Sequence, residues 1–279
     1  MYNKIMNRLD IKKQAQIISA LVEGNSIRAT CRMTGAAKGT VLKLLADVGQ
    51  ACAEYQDKTL TNLPCKRVQC DEIWSFCYAK DKNVPEDKKG QFGYGDVWPF
   101  TALCADSKVV PTWRIGSRDL QTATEFMQDL AGRMKNRIQL TTDGHRVYLD
   151  AVDNAFGSEV DFSQLIKLYG NEVEREVRYS PAQCTGTRKV RIIGKPAPNY
   201  VSTSYVERQN LTMRMTMRRF TRLTNAFSKK VENLAHAVAL HFMNYNFCRI
   251  HQTLRVTPVM EAGITDHVWG IEELLGLIE

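Results

Sequence analysis

The pattern of hydrophobic positions divides the chain into a helical first part and a mixed second part. Aliphatic residues at helical spacing occur in two early runs, Ile17, Ile18, Leu21 and Val22, and Val41, Leu44, Leu45 and Val48. Between them, Ser26 is placed to cap a short helix over residues 27–33, which Gly35 ends in a tight turn. This pattern predicts a small all-α helix-turn-helix domain over residues 1–56, followed by a linker over residues 57–64.

After the predicted linker, short apolar runs alternate with helical patterns. Strands are predicted at residues 67–78, 100–105, 109–115, 138–142 and 162–169, and mostly helical stretches at residues 118–134, 145–156 and 204–247. The order strand, strand, strand, helix, strand, helix, strand, helix predicts an α/β ribonuclease-H-like fold, a mixed sheet flanked by helices. We expect this domain to cover residues 65–249, with an insertion at about 157–203 and a C-terminal tail at 250–279.

Composition and net charge favour one class of binding partner. The chain has 279 residues with 38 Lys and Arg against 30 Asp and Glu, a formal net charge of +8, and its pI is about 9.0. A basic balance of this size favours polyanionic partners such as nucleic acid, and an enzyme that is merely basic is the alternative. The hydrophobic content of 44% is ordinary for a globular protein.

Several classes of protein are disfavoured by what the sequence lacks. Its eight cysteines form no CxxC pair, which disfavours a zinc ribbon, and their apolar settings suit free thiols in a reducing compartment. The sequence shows neither an apolar signal core at its start nor a stretch apolar enough to span a membrane. A Walker-type loop and a Ser-His-Asp pattern are also absent from the sequence. We therefore expect a cytoplasmic, nucleoid-associated protein with no membrane partner.

Three acidic residues have distinctive surroundings. Asp71 lies within an apolar strand-like segment, Asp143 ends another, and Glu207 opens a strongly basic helical stretch. A carboxylate in an apolar strand is costly unless its charge is compensated, and oxygen ligands suit Mg²⁺ or Mn²⁺. Two such ions about 3.5–4 Å apart stabilise the attacking and the leaving oxygen of an in-line phosphoryl transfer. The pattern indicates a metal-dependent enzyme that cuts or joins phosphodiesters, with these three residues as catalytic metal ligands.

Strand alternation distinguishes Asp71 from its neighbour Glu72. Successive side chains of a strand point to opposite faces, so the two acids are not expected to serve one site unless the strand is bulged. Asp71 shares its face with Gln69 and Ser75, the more polar of the two faces. We therefore predict that Asp71, and not Glu72, is the ligand.

Basic residues in three regions are candidates for contact with DNA. They are Lys38, Thr40 and Lys43 on the third helix, Arg188, Lys189 and Arg191 in the basic segment at 187–195, and Arg208, Arg214 and Arg218 after Glu207. Each region has a structural alternative. The helices could be a hairpin for packing or dimerisation, the basic segment a solvated edge strand, and the last stretch a solvated basic helix.

Three segments, in order along the chain, resemble motifs of the bacterial "insertion sequence one" transposase family. Residues 70–76 (CDEIWSF) resemble its first-aspartate motif and residues 140–148 (LTTDGHRVY) its second. Residues 206–214 (VERQNLTMR) are similar to its glutamate motif, as are the residues that follow, RFTR at 219–222 and NAFSK at 225–229. The spacing from Glu207 to Arg214 also agrees with that motif.

The resemblance implies a DDE-type DNA transposase with a ribonuclease-H-like catalytic domain. It implies that Asp71, Asp143 and Glu207 hold two Mg²⁺ or Mn²⁺ ions and that Arg214 is the associated basic residue. A water would first cut the ends of the element, and the freed 3′-hydroxyl would then attack target DNA. The helix-turn-helix would bind the terminal inverted repeats, and we expect a homo-oligomer, at least a dimer, when the protein is active on double-stranded DNA.

Two other functions stay open from the sequence. One is a DNA-binding regulator derived from a transposase, which acts through its helix-turn-helix alone; the presence of all three acids disfavours it. The other is a metal-dependent nuclease without strand transfer, because cutting and joining use one active site.

Overall fold

The computed structural model describes residues 9–170, 184–221 and 224–279. Arg222 of the third motif and residues 171–183 of the predicted insertion lie outside the described residues. The chain forms two compact units. The first consists of residues 1–59, 76–96 and 211–279, and the second of residues 60–75 and 97–210.

The described residues form nine α-helices and seven β-strands. The helices are α1 (Ile11–Val22), α2 (Ile27–Thr34), α3 (Lys38–Thr59), α4 (Leu120–Arg133), α5 (Val147–Phe156), α6 (Ser204–Thr216), α7 (Val231–Met243), α8 (Pro258–Glu261) and α9 (Ile271–Leu275). The strands are β1 (Arg67–Glu72), β2 (Ser75–Cys77), β3 (Gly95–Cys104), β4 (Trp113–Gly116), β5 (Ile138–Asp143), β6 (Val160–Tyr169) and β7 (Cys184–Ile193). Within the part of the chain that is described, none of the helices combines the length and the apolar character needed to cross a bilayer.

The three predicted N-terminal helices are present. The Ser26 hydroxyl caps α2 by accepting from the Ala29 N–H, and Gly35 ends α2 with a φ of 68°. Helix α3, however, continues through Thr59, into the segment predicted as a linker. The buried Gln56 side chain explains this, because it donates to the Ala239 carbonyl and accepts from the Asn246 amide. These contacts hold the last turns of α3 in the first unit.

Close packing of α3 against α7 builds the core of the first unit. Gly49 lies where the two helices meet, and a Cβ at this position would be 2.6 Å from the backbone oxygen of His236. Val41, Leu45 and Val48 are fully or almost fully buried on the same helix. The absence of a side chain at Gly49 therefore permits the contact between the helices.

The sheet has the strand order of a ribonuclease-H-like fold. Its order is β2-β3-β1-β5-β6-β7, with β4 also paired to β3. Strands β1, β3 and β4 pair antiparallel, whereas β5 pairs parallel to both β1 and β6. Helix α4 follows the antiparallel strands, and α5 connects β5 to β6. The α/β class, the mixed sheet flanked by helices and the preceding helical segment are thus confirmed.

One predicted strand is interrupted. Residues 67–78 were expected to be continuous, but the strand breaks at Ile73 and Trp74, between β1 and β2. The register pairs Glu72 with Phe100, so the next pair would be Ile73 with Pro99. Ile73 donates its N–H to the Pro99 carbonyl at 3.0 Å, but proline has no N–H to return the bond. The strand prediction was wrong here because it did not consider the partner strand.

Candidate functional site

Three carboxylates meet at one edge of the sheet in the second unit. Parallel pairing of β1 with β5 aligns Cys70 with Thr142, so Asp71 and Asp143 follow side by side at the carboxyl ends of two strands. Glu72 is the third member. One carboxylate oxygen from each of the three lies within 4.8 Å of the other two.

The closeness of Glu72 to Asp71 and Asp143 differs from the expectation based on strand alternation. That expectation excluded Glu72 from the site of Asp71 because neighbouring residues face opposite sides of a strand. Glu72 is the last residue of β1, and Asp143 is the last residue of β5. The pairing of β1 with β5 ends at Cys70 and Thr142, so the three acids lie just past it, and an oxygen of the longer Glu72 side chain reaches the same group.

Helix α6 is fixed beside β1 by two side chains. The Gln69 side-chain oxygen accepts hydrogen bonds from the N–H groups of Tyr205 and Val206, at 2.8 and 3.2 Å. Three residues after Glu207, the Asn210 amide donates to Oδ2 of Asp71 at 2.9 Å. The first turns of α6 therefore lie against the strand that carries Asp71.

Glu207 lines the same cleft but lies outside the group of three carboxylates. Its Oε2 forms an ion pair with Lys167 Nζ at 2.7 Å, and its Oε1 accepts from the Thr203 hydroxyl. Lys167 lies on β6, next to β5 in the sheet. In this arrangement both Glu207 oxygens are occupied by protein groups.

The cleft has a volume of about 520 Å³ and contains acidic, basic and apolar side chains. It is lined by Asp71, Arg118, Asp143, Gly144, His145, Leu165, Ile166, Lys167, Tyr169 and Glu207. The Arg118 guanidinium contacts Oε2 of Glu72 at 3.3 Å and lies 4.7 Å from the centre of the Trp98 ring. Carboxylates and two cationic side chains thus face one solvent-accessible space.

Burial and charge repulsion raise the pKa values of Asp71 and Glu72. Burial, followed by the charges of Asp143 and Glu72, raises the pKa of Asp71 to about 7. Burial and Asp143 also raise the pKa of Glu72, although Tyr148 and Arg118 oppose this shift. The ionised cluster therefore carries unfavourable charge repulsion, which a bound cation would relieve.

The donor set fits a hard divalent cation. All three converging ligands are carboxylates, the oxygen donors that Mg²⁺ and Mn²⁺ prefer. Oε1 of Glu72 is buried and has no hydrogen-bond partner among the described residues. Such an oxygen is costly to bury unless it is neutralised or coordinated.

The predicted DNA-contacting residues lie in both units. Lys38, Thr40 and Lys43 lie in the first turns of α3, where Lys43 forms an exposed ion pair with Asp47. Arg188, Lys189 and Arg191 are exposed on β7, an edge strand. Arg208 is exposed on α6 in the second unit, whereas Arg214, also on α6, and the exposed Arg218 belong to the first unit. Within the described residues, the three clustered carboxylates lie on β1 and β5, and neither α3 nor β7 carries one of them.

Sequence reasoning missed most groups around the acids. Asn210 is three residues from Glu207 and therefore on the same face of α6, a signal that helical periodicity contains. Gln69 lies two residues from Asp71, on the same face of β1. The position of Lys167 near the acids depends on the register between strands, and that of Arg118 depends on a loop. The sequence has no local signal for either.

Comparisons with known proteins find only distant likeness. No protein-family model matches the sequence, and no curated protein matches it. Among solved structures, the chain is similar to a piggyBac transposase synaptic complex with hairpin DNA, at 10% identity and a TM-score of 0.40, covering 96% of this chain and 69% of that chain. The Mos1 strand transfer complex gives 10% identity, a TM-score of 0.25, and 85% and 76% coverage.

A pre-cleavage Mos1 transpososome is also similar, at 8% identity and a TM-score of 0.22, covering 56% of this chain and 59% of that one. These structures are of piggyBac and Mos1 transposases, not of the insertion sequence one family that the sequence motifs resemble. The fold assignment accordingly rests on the strand order and pairing of the sheet.

Proposed function

We propose that this chain is a DNA transposase that binds the ends of an insertion sequence and uses divalent metal ions to cut and join phosphodiesters. The observation that supports this most directly is the meeting of Asp71 and Asp143 at the carboxyl edge of a ribonuclease-H-like sheet. Their sequence motifs, together with that of Glu207, support membership of the insertion sequence one family.

In this proposal Asp71, Asp143 and Glu207 are the metal-ligating residues of the complete active site. Mg²⁺ or Mn²⁺, when bound there, would supply Lewis acidity toward the scissile phosphate and a more acidic bound water. The Asn210 amide orients the Asp71 carboxylate through its 2.9 Å hydrogen bond. Arg118 and Lys167, which line the cleft, can pair with phosphate oxygens next to the scissile bond.

DNA binding is assigned to the exposed basic groups. Helix α3, with Lys38, Thr40 and Lys43, follows α2 after a short turn and would contact the element ends in the manner of a helix-turn-helix. Other phosphate contacts would come from the remaining basic residues, Arg188, Lys189, Arg191, Arg208, Arg214 and Arg218. We propose that the active form on double-stranded DNA is a homo-oligomer, at least a dimer.

A strand-transfer assay tests this function. Purified protein is incubated with Mg²⁺, a plasmid target and labelled DNA that carries the inverted repeats flanking the coding region. Joined product is the expected result. Cleavage without joining would identify a nuclease instead, and binding without cleavage would identify a DNA-binding regulator. The same reactions with EDTA test the requirement for a metal ion.

A further inference from the structure

We propose that Glu72, rather than Glu207, completes the divalent-cation site with Asp71 and Asp143 before DNA binds. This inference rests on the proposed function, since it concerns the metal of that same site. It assigns a ligand role to a residue outside the expected triad, and it gives Glu207 a later role.

Glu72 lies close to both aspartates. Its carboxylate is among the three whose oxygens lie within 4.8 Å of one another, together with Asp71 and Asp143. A cation between these oxygens would therefore meet Glu72 without any rearrangement of the backbone. Glu207 is not in this group.

The burial of Glu72 also favours a bound cation. The residue is 9% exposed, and its Oε1 has no hydrogen-bond partner among the described residues. Arg118 occupies only the other oxygen, Oε2, at 3.3 Å. The buried Tyr148 hydroxyl is nearby but does not form a hydrogen bond of normal geometry with Oε1. A metal ion would coordinate an oxygen that lacks a hydrogen bond of normal geometry.

Glu207 is already engaged by two other side chains. Lys167 holds one of its oxygens at 2.7 Å, and Thr203 donates to the other. Glu207 could reach a metal ion only after it gave up at least part of this arrangement. Both side chains of the ion pair are about one-third exposed, so the phosphates of an entering DNA strand can compete for Lys167. Release of Glu207 is therefore expected with DNA and not before it.

Titration of the DNA-free, full-length protein with Mn²⁺, followed by the electron paramagnetic resonance signal of free Mn²⁺, tests this order. The matched variants are Glu72→Gln and Glu207→Gln, since each removes one negative charge that acts on Asp71. We expect Glu72→Gln to raise the Kd for the first Mn²⁺ by about tenfold or more and Glu207→Gln to change it by less than about threefold. An equal or larger loss in Glu207→Gln would overturn the inference.

Glu72→Asp is a second variant that tests the inference if Glu72→Gln does not fold. Glu72→Asp keeps the charge but withdraws the carboxylate by one methylene, and it should also weaken the first Mn²⁺. Wild-type affinity in Glu72→Asp and Glu72→Gln alike would contradict the inference while leaving the proposed function intact. No Mn²⁺ binding by the wild-type protein would contradict both.

Discussion

The Asn210 amide of α6 donates a 2.9 Å hydrogen bond to the Asp71 carboxylate of β1, across 139 residues of sequence. Asn210 is 8% exposed, and this bond joins the helix that carries Glu207 to the strand that carries Asp71. Because metal-binding carboxylates depend on such partners for their orientation, Asn210 is a positioning residue in this account.

The Asn210→Ala variant should therefore lose activity without losing its fold. We expect Mg²⁺-dependent DNA cleavage to fall by about 10–100-fold, as is typical when an outer partner of a metal ligand is removed. The Mg²⁺ concentration needed for half-maximal rate should rise, a change that a purely structural role would not cause. Leu211→Ala, at an exposed position next in sequence, is the control. Equal activity in both variants would remove Asn210 from the site.

The three acids of the proposed site should be needed for chemistry and not for binding to DNA. Asp71→Ala, Asp143→Ala and Glu207→Ala are each expected to reduce cleavage by on the order of 100-fold or more, a larger loss than that of an outer partner. Binding of end DNA, measured by fluorescence anisotropy, should stay close to the wild-type value. A variant that cuts DNA at the normal rate would show that its residue is not a ligand.

The raised pKa of Asp71, about 7, predicts how stability depends on pH in the absence of metal ions. The folded state favours the protonated carboxyl, so it binds more protons than the unfolded state between about pH 4 and pH 7. The free energy of unfolding in EDTA should consequently fall as pH rises through this window, by roughly 4 kcal/mol at most from Asp71. Urea denaturation at pH 5 and pH 8 measures this change.

Asp71→Asn is the control for this pH dependence, because its amide cannot ionise. The fall in stability between pH 5 and pH 8 should be smaller in this variant than in the wild-type protein. His145 titrates in both proteins, so the difference reports Asp71 together with its charge coupling to Glu72. Parallel curves for the two proteins would mean that the Asp71 carboxyl is not perturbed by the cluster.

Lys43 should contribute to binding of the element ends through a phosphate contact. Lys43→Ala is expected to weaken binding and to reduce the slope of log K against log salt concentration by about 1. The exposed Asp47 that pairs with Lys43 contributes little to stability, so the fold should be unaffected. Lys58→Ala, near the other end of α3, is the matched control. Equal salt slopes for both variants would place the first turns of α3 outside the DNA interface.

Two glycines of α3 should respond oppositely to alanine. A Cβ at Gly49 would lie 2.6 Å from the His236 backbone oxygen, whereas a Cβ at Gly39 would meet nothing within 4 Å. Gly49→Ala should lower the free energy of unfolding by about 1–3 kcal/mol or more through overpacking. Gly39→Ala should leave it unchanged or raise it by up to about 1 kcal/mol, because alanine favours helix. Thermal unfolding of both variants tests the packing of α3 on α7.

The sequence alone predicts much of the fold and the first two acids of the site. Asp71 and Asp143 stand out because a carboxylate in or at the end of an apolar strand needs a chemical reason. The order of strands and helices likewise predicts the mixed sheet, since parallel strands need a crossover helix. The first signal is local to a short segment, and the second needs only the order of the elements along the chain.

The parts of the fold and of the site that the sequence does not predict depend on contacts between distant segments. The break after Glu72 arises from Pro99 on the partner strand. The closeness of Glu72 to Asp143 depends on the pairing of β1 with β5. The pairing of Lys167 with Glu207 depends on where β6 and α6 lie relative to each other. None of these relations is encoded in the spacing of residues along one segment.

In the proposed site, Asp71 and Asp143 together hold a divalent ion. Anomalous scattering from crystals of the protein loaded with Mn²⁺ locates that ion. We predict an anomalous peak at the carboxyl edge of the sheet, about 2.1–2.2 Å from an oxygen of each of these residues. Manganese bound elsewhere on the protein, with no peak between Asp71 and Asp143, would contradict the account.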